Sequence, residues 1–181
     1  MVKNSEIILS GFGGQGLIMA GQILAEAVVR DGKNTAQTQS YGPEARGGAS
    51  KAEIIISDAE IDYPKVTSPD ILLVMSREAL HKYIGKLNDN STLIVDTTYI
   101  DEIPPTPAKV YALPYTNLAK ERFGREIVAN IVALGVLAAL TGVATKESLE
   151  AAIISRTPRG TEALNRQAFE FGWQSARQIA A

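Results

Sequence analysis

Six residues near the start of the chain have the composition and spacing of an anion-binding loop. The segment Gly11-Phe12-Gly13-Gly14-Gln15-Gly16 follows the apolar run Ile7–Leu9 and leads into a helical pattern that begins at Leu17. Glycine adopts positive φ and lets a ligand approach the backbone, while the start of a helix offers free N–H groups and a positive dipole end. We therefore expect a nucleotide-like ligand here, faced by Gly11, Gly13, Gly14, Gln15 and Gly16.

The same spacing satisfies G-x-G-x-x-G, the fingerprint of dinucleotide binding. That fingerprint also expects an acidic residue at the end of the second strand, where it holds a ribose hydroxyl. Here the second strand ends in the hydroxyl of Ser40, and Asp31 falls earlier, beside a turn. The pattern therefore disfavours NAD and FAD. A glycine turn that only lets helix and sheet pack closely stays open as an alternative.

Composition and charge narrow the function classes. A chain of 181 residues is expected to form a single domain over 1–181, and its net charge of −2 offers no basic field for nucleic acid or membrane. The chain has no cysteine, hence no thiol nucleophile and no cysteine ligand for an iron–sulfur cluster, and His81 is its only histidine. We expect no catalytic or metal-binding residue on this chain. No signal peptide is apparent at the start, which predicts a cytoplasmic protein.

Hydrophobic patterning predicts an α/β fold. Most strand-like runs are continuously apolar, as in strands that helices cover on both faces. Helical patterns at Leu17–Arg30, Arg77–Leu87 and Asn117–Phe123 lie between several of them, so we expect one doubly wound, mostly parallel, Rossmann-like sheet with helices on both faces. The third strand follows the second without room for a helix, which indicates a hairpin or an edge excursion. The predicted strands are Glu6–Ser10, Thr35–Gln39, Glu53–Ser57, Ile71–Met75, Thr92–Asp96 and Lys109–Leu113.

The carboxyl-terminal part is predicted to be helical. Glu126–Leu140 is apolar on nearly every side and must be buried, either in its own core or against another chain, so the isolated chain is expected to self-associate. Asn130 is polar within that helix and should bond a neighbouring loop or chain. Thr145 resembles an N-cap for the next helix, and Thr161–Ile179 forms the last one. Between those two helices, Ser155–Gly160 is a basic, proline-broken loop.

A second glycine-rich segment, residues 38–50, should lie on the same edge of the sheet as the first loop. Arg46 is the cation within it and could grip a phosphate through its guanidinium fork. A rigid surface loop, with Arg46 paired to Glu44 or to a partner subunit, is the alternative. The expected ligand contacts in this segment are Ser40, Tyr41, Gly42, Arg46, Gly47 and Gly48.

Several motifs together resemble the gamma subunit of 2-oxoacid:ferredoxin oxidoreductases. They are Gly-Phe-Gly-Gly-Gln-Gly at 11–16, Thr-Gln-Ser-Tyr-Gly-Pro-Glu-Ala-Arg-Gly-Gly at 38–48, the strand at 53–58, Pro-Asp at 69–70, and Ala-Asn-Ile-Val-Ala-Leu-Gly at 129–135. The resemblance covers the chain to about Gly142. Tyr41 and Ala45 favour the 2-oxoglutarate-type branch, because pyruvate-type relatives tend to carry phenylalanine and arginine at these places.

The resemblance implies a supporting role in a heteromeric complex. Such complexes convert a 2-oxo acid, coenzyme A and oxidised ferredoxin into acyl-CoA, carbon dioxide and reduced ferredoxin. Thiamine diphosphate, magnesium and iron–sulfur clusters would reside on alpha, beta and delta or ferredoxin-type partner subunits, and this chain would bind coenzyme A. It would be inactive alone. The alternatives are a stand-alone nucleotide-binding enzyme with a Rossmann-like site and a purely structural assembly subunit.

Overall fold

A six-stranded mixed sheet forms the centre of the molecule. The computed structural model describes residues 4–41 and 49–179. The strand order is β2-β3-β1-β4-β5-β6. The strands are β1 Ser5–Gly11, β2 Asn34–Ser40, β3 Ser50–Ser57, β4 Ile71–Val74, β5 Thr92–Asp96 and β6 Lys109–Leu113; the helices are α1 Leu17–Arg30, α2 Arg77–Tyr83, α3 Tyr115–Phe123, α4 Ala129–Thr141, α5 Lys146–Arg156 and α6 Glu162–Ile179.

Strand directions confirm a mostly parallel sheet with one hairpin. β4, β5 and β6 run parallel to β1, whereas β3 is antiparallel to both β1 and β2. The connection from β2 to β3 is shorter than the dozen or so residues that a parallel crossover needs, so the chain turns back as a hairpin. β3 is an interior strand, and β2 and β6 are the two edge strands.

Different helices cover the two faces of the sheet. Along β1, Ile7 and Leu9 are buried with helices α1 and α4–α6, and Ile8 is buried with α2 on the opposite face. Both faces are thus apolar, as the continuous hydrophobic runs predict. The connection from β5 to β6 has no helix, because Pro104, Pro105 and Pro107 remove backbone donors and clash with a helical backbone.

Helix boundaries lie within two residues of the predicted ones, with α3 beginning at Tyr115 and not Asn117, and two predicted helices include a short turn of 3-10 helix. The expected helix at 77–87 is α2 followed by such a turn at Ile84–Lys86, and the one at 126–140 begins with a turn at Glu126–Val128. Thr145 caps α5 as predicted, since its side chain accepts a hydrogen bond from the amide of Ser148 at 3.3 Å. Within the described ranges, no helix has both the length and the apolar character that crossing a membrane requires.

Helix α4 is buried by its own chain. Every residue from Ala129 to Ala138 is buried, and α6 lies directly against it. A Cβ on Gly135 would lie 2.4 Å from the carbonyl oxygen of Phe169, and one on Gly172 would lie 2.0 Å from that of Val132. The two backbones therefore touch through glycine. Residues 129–138 are thus buried in their own core, the first of the two predicted possibilities, while Ile127 is 59% exposed. Self-association of the isolated chain stays a prediction.

Candidate functional site

The first glycine loop connects β1 to α1 and presents free backbone donors. Gly11 ends β1, and Gly16 occupies the N-cap of α1 with φ of 75°. The amide of Ala20 donates the first helical bond, to the Gly16 carbonyl at 3.0 Å. The amides of residues 17–19 come before that bond and have no acceptor within the helix. Together with the helix dipole, they form a site with partial positive charge.

A cavity of about 470 Å³ opens beside these amides, and we call it the loop cavity. It brings together the glycine loop, the first turn of α1, the end of β2 and the end of α5. Two large polar side chains of the lining, Tyr41 and Arg156, are exposed to solvent. Its lining residues are Gly13, Gly14, Gly16, Leu17, Ile18, Met19, Gln22, Tyr41, Ser50 and Arg156.

The glycines of the loop differ in what surrounds them. A Cβ on Gly13 or Gly14 would meet no described atom within 4 Å, so their backbone is open to an approaching ligand. A Cβ on Gly16 would lie 2.5 Å from Nδ2 of Asn130. Gly16 is therefore required by both its positive φ and its close neighbour.

Asn130 fixes the end of the loop from α4. Its Nδ2 donates to the Gly16 carbonyl at 3.0 Å, and its Oδ1 accepts from the amide of Ile131 at 2.9 Å. The side chain is buried and both of its polar atoms have partners. The expectation that this amide bonds a neighbouring loop is confirmed, and the loop is the first glycine loop.

Gln15 closes the loop against β4. Its Oε1 accepts from the amide of Phe12 at 2.7 Å, and its Nε2 donates to the carbonyl of Met75 at 2.9 Å. The side chain lies over Gly11, where a Cβ would be 2.3 Å from Oε1. It thus occupies the crevice between the carboxyl ends of β1 and β4, the topological switch point where open α/β sheets bind ligands. A smaller cavity of about 220 Å³ lies there, lined by Gln15, Met75 and Tyr99 among others.

The second predicted segment is only partly described. Ser40 ends β2 at the same edge of the sheet as Gly11, since Ser40 and Gly11 pair with the adjacent residues Lys51 and Ser50 of β3. Tyr41 faces the loop cavity, but Ser40 lines a separate cavity with Lys51, Lys65 and Lys86. The predicted contacts Gly42, Arg46, Gly47 and Gly48 lie outside the described residues.

Arg156 is a cavity residue that the ligand-contact predictions did not include. It is the last residue of α5, and its Nε donates to Oε2 of Glu26 on α1 at 2.5 Å. Burial opposes ionisation of Glu26, but hydrogen bonds from Arg156 and Arg30 outweigh it and lower the pKa of this carboxyl. The basic loop at 155–160 was a signal for this cation. Arg156 lies 140 residues after the glycine loop in the chain, and only the packing of α5 on α1 brings the two together.

Asp96, at the end of β5, has a structural role. Its carboxylate accepts hydrogen bonds from the amide of Thr98 at 2.9 Å and from the hydroxyl of Thr116 at 2.6 Å. The side chain is buried, and these bonds join the end of β5 to the start of α3. Asp96 is therefore a turn residue that fixes the connection after β5.

Comparison with known proteins places this architecture in a family. The family model for pyruvate ferredoxin/flavodoxin oxidoreductase matches residues 6–175. The chain is 48% identical to a protein named 2-oxoglutarate synthase subunit KorC from Methanocaldococcus jannaschii, covering 96% of this chain and 95% of that protein. It is 49% identical to the protein of the same name from Methanothermobacter thermautotrophicus, covering 92% of each.

Solved structures agree with the sequence relatives. The keto/oxoacid ferredoxin oxidoreductase gamma subunit from Geobacter sulfurreducens superposes with a TM-score of 0.86 at 49% identity, covering 96% of this chain and 99% of that one. A 2-oxoglutarate:ferredoxin oxidoreductase from Magnetococcus marinus, solved with 2-oxoglutarate, coenzyme A and succinyl-CoA, shares the fold at a TM-score of 0.86 and 22% identity, over 32% of its length. The chain belongs to the pyruvate ferredoxin/flavodoxin oxidoreductase family and is one of its gamma-type chains.

Proposed function

We propose that this chain binds coenzyme A in the loop cavity and serves as the non-catalytic gamma subunit of a 2-oxoglutarate:ferredoxin oxidoreductase. The observation that carries the proposal is the cavity itself, where open glycine backbone, the free amides of the first turn of α1 and Arg156 meet. Backbone donors at a helix start bind phosphate groups. The cavity volume lies within the roughly 300–1,000 Å³ typical of small-molecule sites.

The reaction chemistry is assigned to partner subunits. With no cysteine, this chain has no thiolate to hold an iron–sulfur cluster. In the proposal, thiamine diphosphate, magnesium and the clusters belong to alpha, beta and delta or ferredoxin-type subunits, and ferredoxin accepts the electrons. The complex acts in the cytoplasm. The role of this chain is to hold coenzyme A so that its thiol can reach the acyl group formed on a partner.

The assignment to 2-oxoglutarate rests on sequence. Two relatives at 48% and 49% identity, each matched over more than nine-tenths of its length, are named as subunits of 2-oxoglutarate synthase. Tyr41, which favours the same branch, lines the loop cavity. The substrate carboxylate itself would be held outside this chain.

Dinucleotide binding is less well supported. Gln15 occupies the crevice at the switch point and uses the amide of Phe12, which a pyrophosphate would otherwise approach. The second strand ends in Ser40, with no carboxylate for a ribose hydroxyl. A purely structural subunit is the remaining alternative, and a binding experiment separates it from the proposal.

The experiment introduces a carboxylate into the loop cavity without disturbing the fold. Gly13→Asp adds a negative charge beside the α1 amides, at a glycine where a Cβ meets no described atom within 4 Å. Gly85→Asp is the matched control: its Cβ would likewise meet no described atom, and Gly85 lies in the short turn after α2. Coenzyme A is titrated calorimetrically into the full chain and into the assembled complex.

The wild type and Gly85→Asp should bind coenzyme A equally. Gly13→Asp should weaken binding about tenfold or more, because like charges a few ångströms apart cost roughly 1–4 kcal/mol near a protein surface. Equal binding by both variants would show that coenzyme A does not use this cavity. No binding by the chain or by the complex would favour the structural subunit.

A further inference from the structure

We infer that Arg156 recognises the 3′-phosphate of coenzyme A and that Glu26 positions its guanidinium for that contact. The inference rests on the proposed function, since it assigns a second anionic group of the same ligand to the same cavity. Coenzyme A carries phosphate in two places: a diphosphate at the 5′ position of its adenosine and a single phosphate at the 3′ position. The loop cavity likewise has two separate cationic ends.

The first cationic end is the start of α1, where the free amides lie. The cavity then continues along one face of the helix, because Ile18, Gln22 and Glu26 are spaced four residues apart and Ile18 and Gln22 both line it. From Ile18 to Glu26 the helix rises about 12 Å. Glu26, which holds Arg156, is thus attached to the helix about two turns beyond Ile18. A diphosphate bound at the free amides would leave Arg156 available to a second, separate phosphate.

The second cationic end is Arg156, held by Glu26. Oε2 of Glu26 accepts from Nε of Arg156 at 2.5 Å, while Oε1 accepts from Nη2 of Arg30 at 2.8 Å. The carboxylate is thereby fixed between two guanidinium groups, and these three described side chains together carry a net positive charge. The side chain of Glu26 is 17% exposed and that of Arg156 is 44% exposed.

Among the described residues, the ion pair with Glu26 leaves part of Arg156 without a protein partner. Glu26 engages Nε, so Nη1 and Nη2 remain as the donor fork that grips phosphate in bidentate fashion. Because Glu26 fixes the plane of the guanidinium, less freedom is lost when a phosphate binds. Glu26 is accordingly a positioning residue, and Arg156 is the contact that would distinguish coenzyme A from its 3′-dephospho form.

The test compares coenzyme A with 3′-dephospho-coenzyme A. Both are titrated into the wild-type chain, in isolation and within its complex, and into the Arg156→Ala, Arg156→Lys and Glu26→Gln variants. Arg159→Ala is the matched control, because Arg159 is exposed in the connection after α5, three residues beyond Arg156 and outside the cavity lining. Thermal unfolding of each variant checks the α1–α5 contact.

The wild type should prefer coenzyme A, and Arg156→Ala should lose about tenfold in affinity for it while binding the dephospho form unchanged. Arg156→Lys should keep part of the wild-type preference for coenzyme A over the dephospho form. Glu26→Gln should reduce that preference. Equal losses for both ligands, or no preference in the wild type, would overturn the inference while leaving the loop cavity as the coenzyme A site. If neither ligand binds the wild-type chain or complex, the proposed function fails, and this inference with it.

Discussion

Glycine has opposite uses in the loop after β1 and in the contact between α4 and α6. In the helix pair, a Cβ on Gly135 or Gly172 would collide with the backbone of the neighbouring helix. In the loop, a Cβ on Gly13 or Gly14 would point into space free of described atoms. The helix-pair glycines are explained by contacts within the chain. At the open loop glycines, none of the described atoms closes off the backbone.

This difference separates residues that stabilise the fold from residues that we propose contact the ligand. Gly16 and Asn130 connect the two regions, because Asn130 is part of α4 and bonds the last carbonyl of the loop. Substitutions in the helix pair should therefore change stability, substitutions at Gly13 should change binding, and substitutions at Asn130 should change both.

The largest stability effect is expected from Gly172→Ala. Alanine favours helix by about 1 kcal/mol over glycine, but its methyl group would lie 2.0 Å from the backbone carbonyl of Val132 and force α4 and α6 apart. We expect a net loss of about 3 kcal/mol in the free energy of unfolding, at the upper end of the usual cost of overpacking. Urea denaturation measures it, with Gly85→Ala as the control. A variant as stable as the wild type would show that the two backbones do not touch.

An intermediate effect is expected from Asn130→Ala. The substitution removes the donor to the Gly16 carbonyl, which keeps its bond from Ala20, and the acceptor of the Ile131 amide. It should cost about 1–3 kcal/mol, because a buried amide loses its partner. It should also weaken coenzyme A binding, since the loop would lose its support from α4. Denaturation and calorimetric titration of the same preparation measure the two effects. If Asn130→Ala lowered stability but left coenzyme A binding unchanged, the support from α4 would not matter for binding. The expected link between the two regions would then be wrong.

The smallest effect concerns Asp31, at the other end of α1. Burial opposes ionisation of this carboxyl, but hydrogen bonds from Ser148 and Thr145 outweigh it, so the folded-state pKa is lowered. A lowered folded pKa means that the stabilisation is present above the unfolded pKa and is lost as the pH falls through the folded pKa. Asp31→Asn should therefore cost about 1 kcal/mol at neutral pH, and the difference from wild type should shrink below about pH 4.

Denaturation at a series of pH values measures how the stability difference between Asp31→Asn and wild type depends on pH. Coenzyme A affinity at neutral pH is the second readout. Asp31 joins α1 to α5 through Thr145 and Ser148, far from the glycine loop. Binding should consequently stay unchanged. A difference that grows as the pH falls would contradict the lowered pKa.

Local patterns predicted most of the elements. The bounds of α1 and of strands β5 and β6 match the prediction, because apolar runs, glycines and the turn at Gly32 are signals that depend on nearby residues only. The hairpin was one of two predicted possibilities for β2 and β3. The position of β3 between β2 and β1 was not predicted. Strand order depends on pairings between distant segments, which no local pattern encodes.

The candidate site shows the same limit. Asn130 stood out as a polar residue in an apolar helix, and its need for a partner was clear, yet only the packing of α4 shows that the partner is Gly16. Arg156 was part of a conspicuous basic loop, and only the α1–α5 contact brings it to the glycine loop. Gln15 was expected to face the ligand, but its side-chain oxygen and nitrogen bond Phe12 and Met75, and its ligand role stays a prediction.

The most direct test follows backbone amide signals of the full chain by NMR as coenzyme A is added. If coenzyme A occupies the loop cavity, the amide signals of Gly13, Gly14 and residues 17–19 should shift, while those around Gly135 and Gly172 should not. Adding 3′-dephospho-coenzyme A should shift the same loop amides and leave the side-chain Nε signal of Arg156 unchanged. Shifts confined to the crevice around Met75 and Tyr99, with none in the first turn of α1, would contradict the loop cavity as the coenzyme A site.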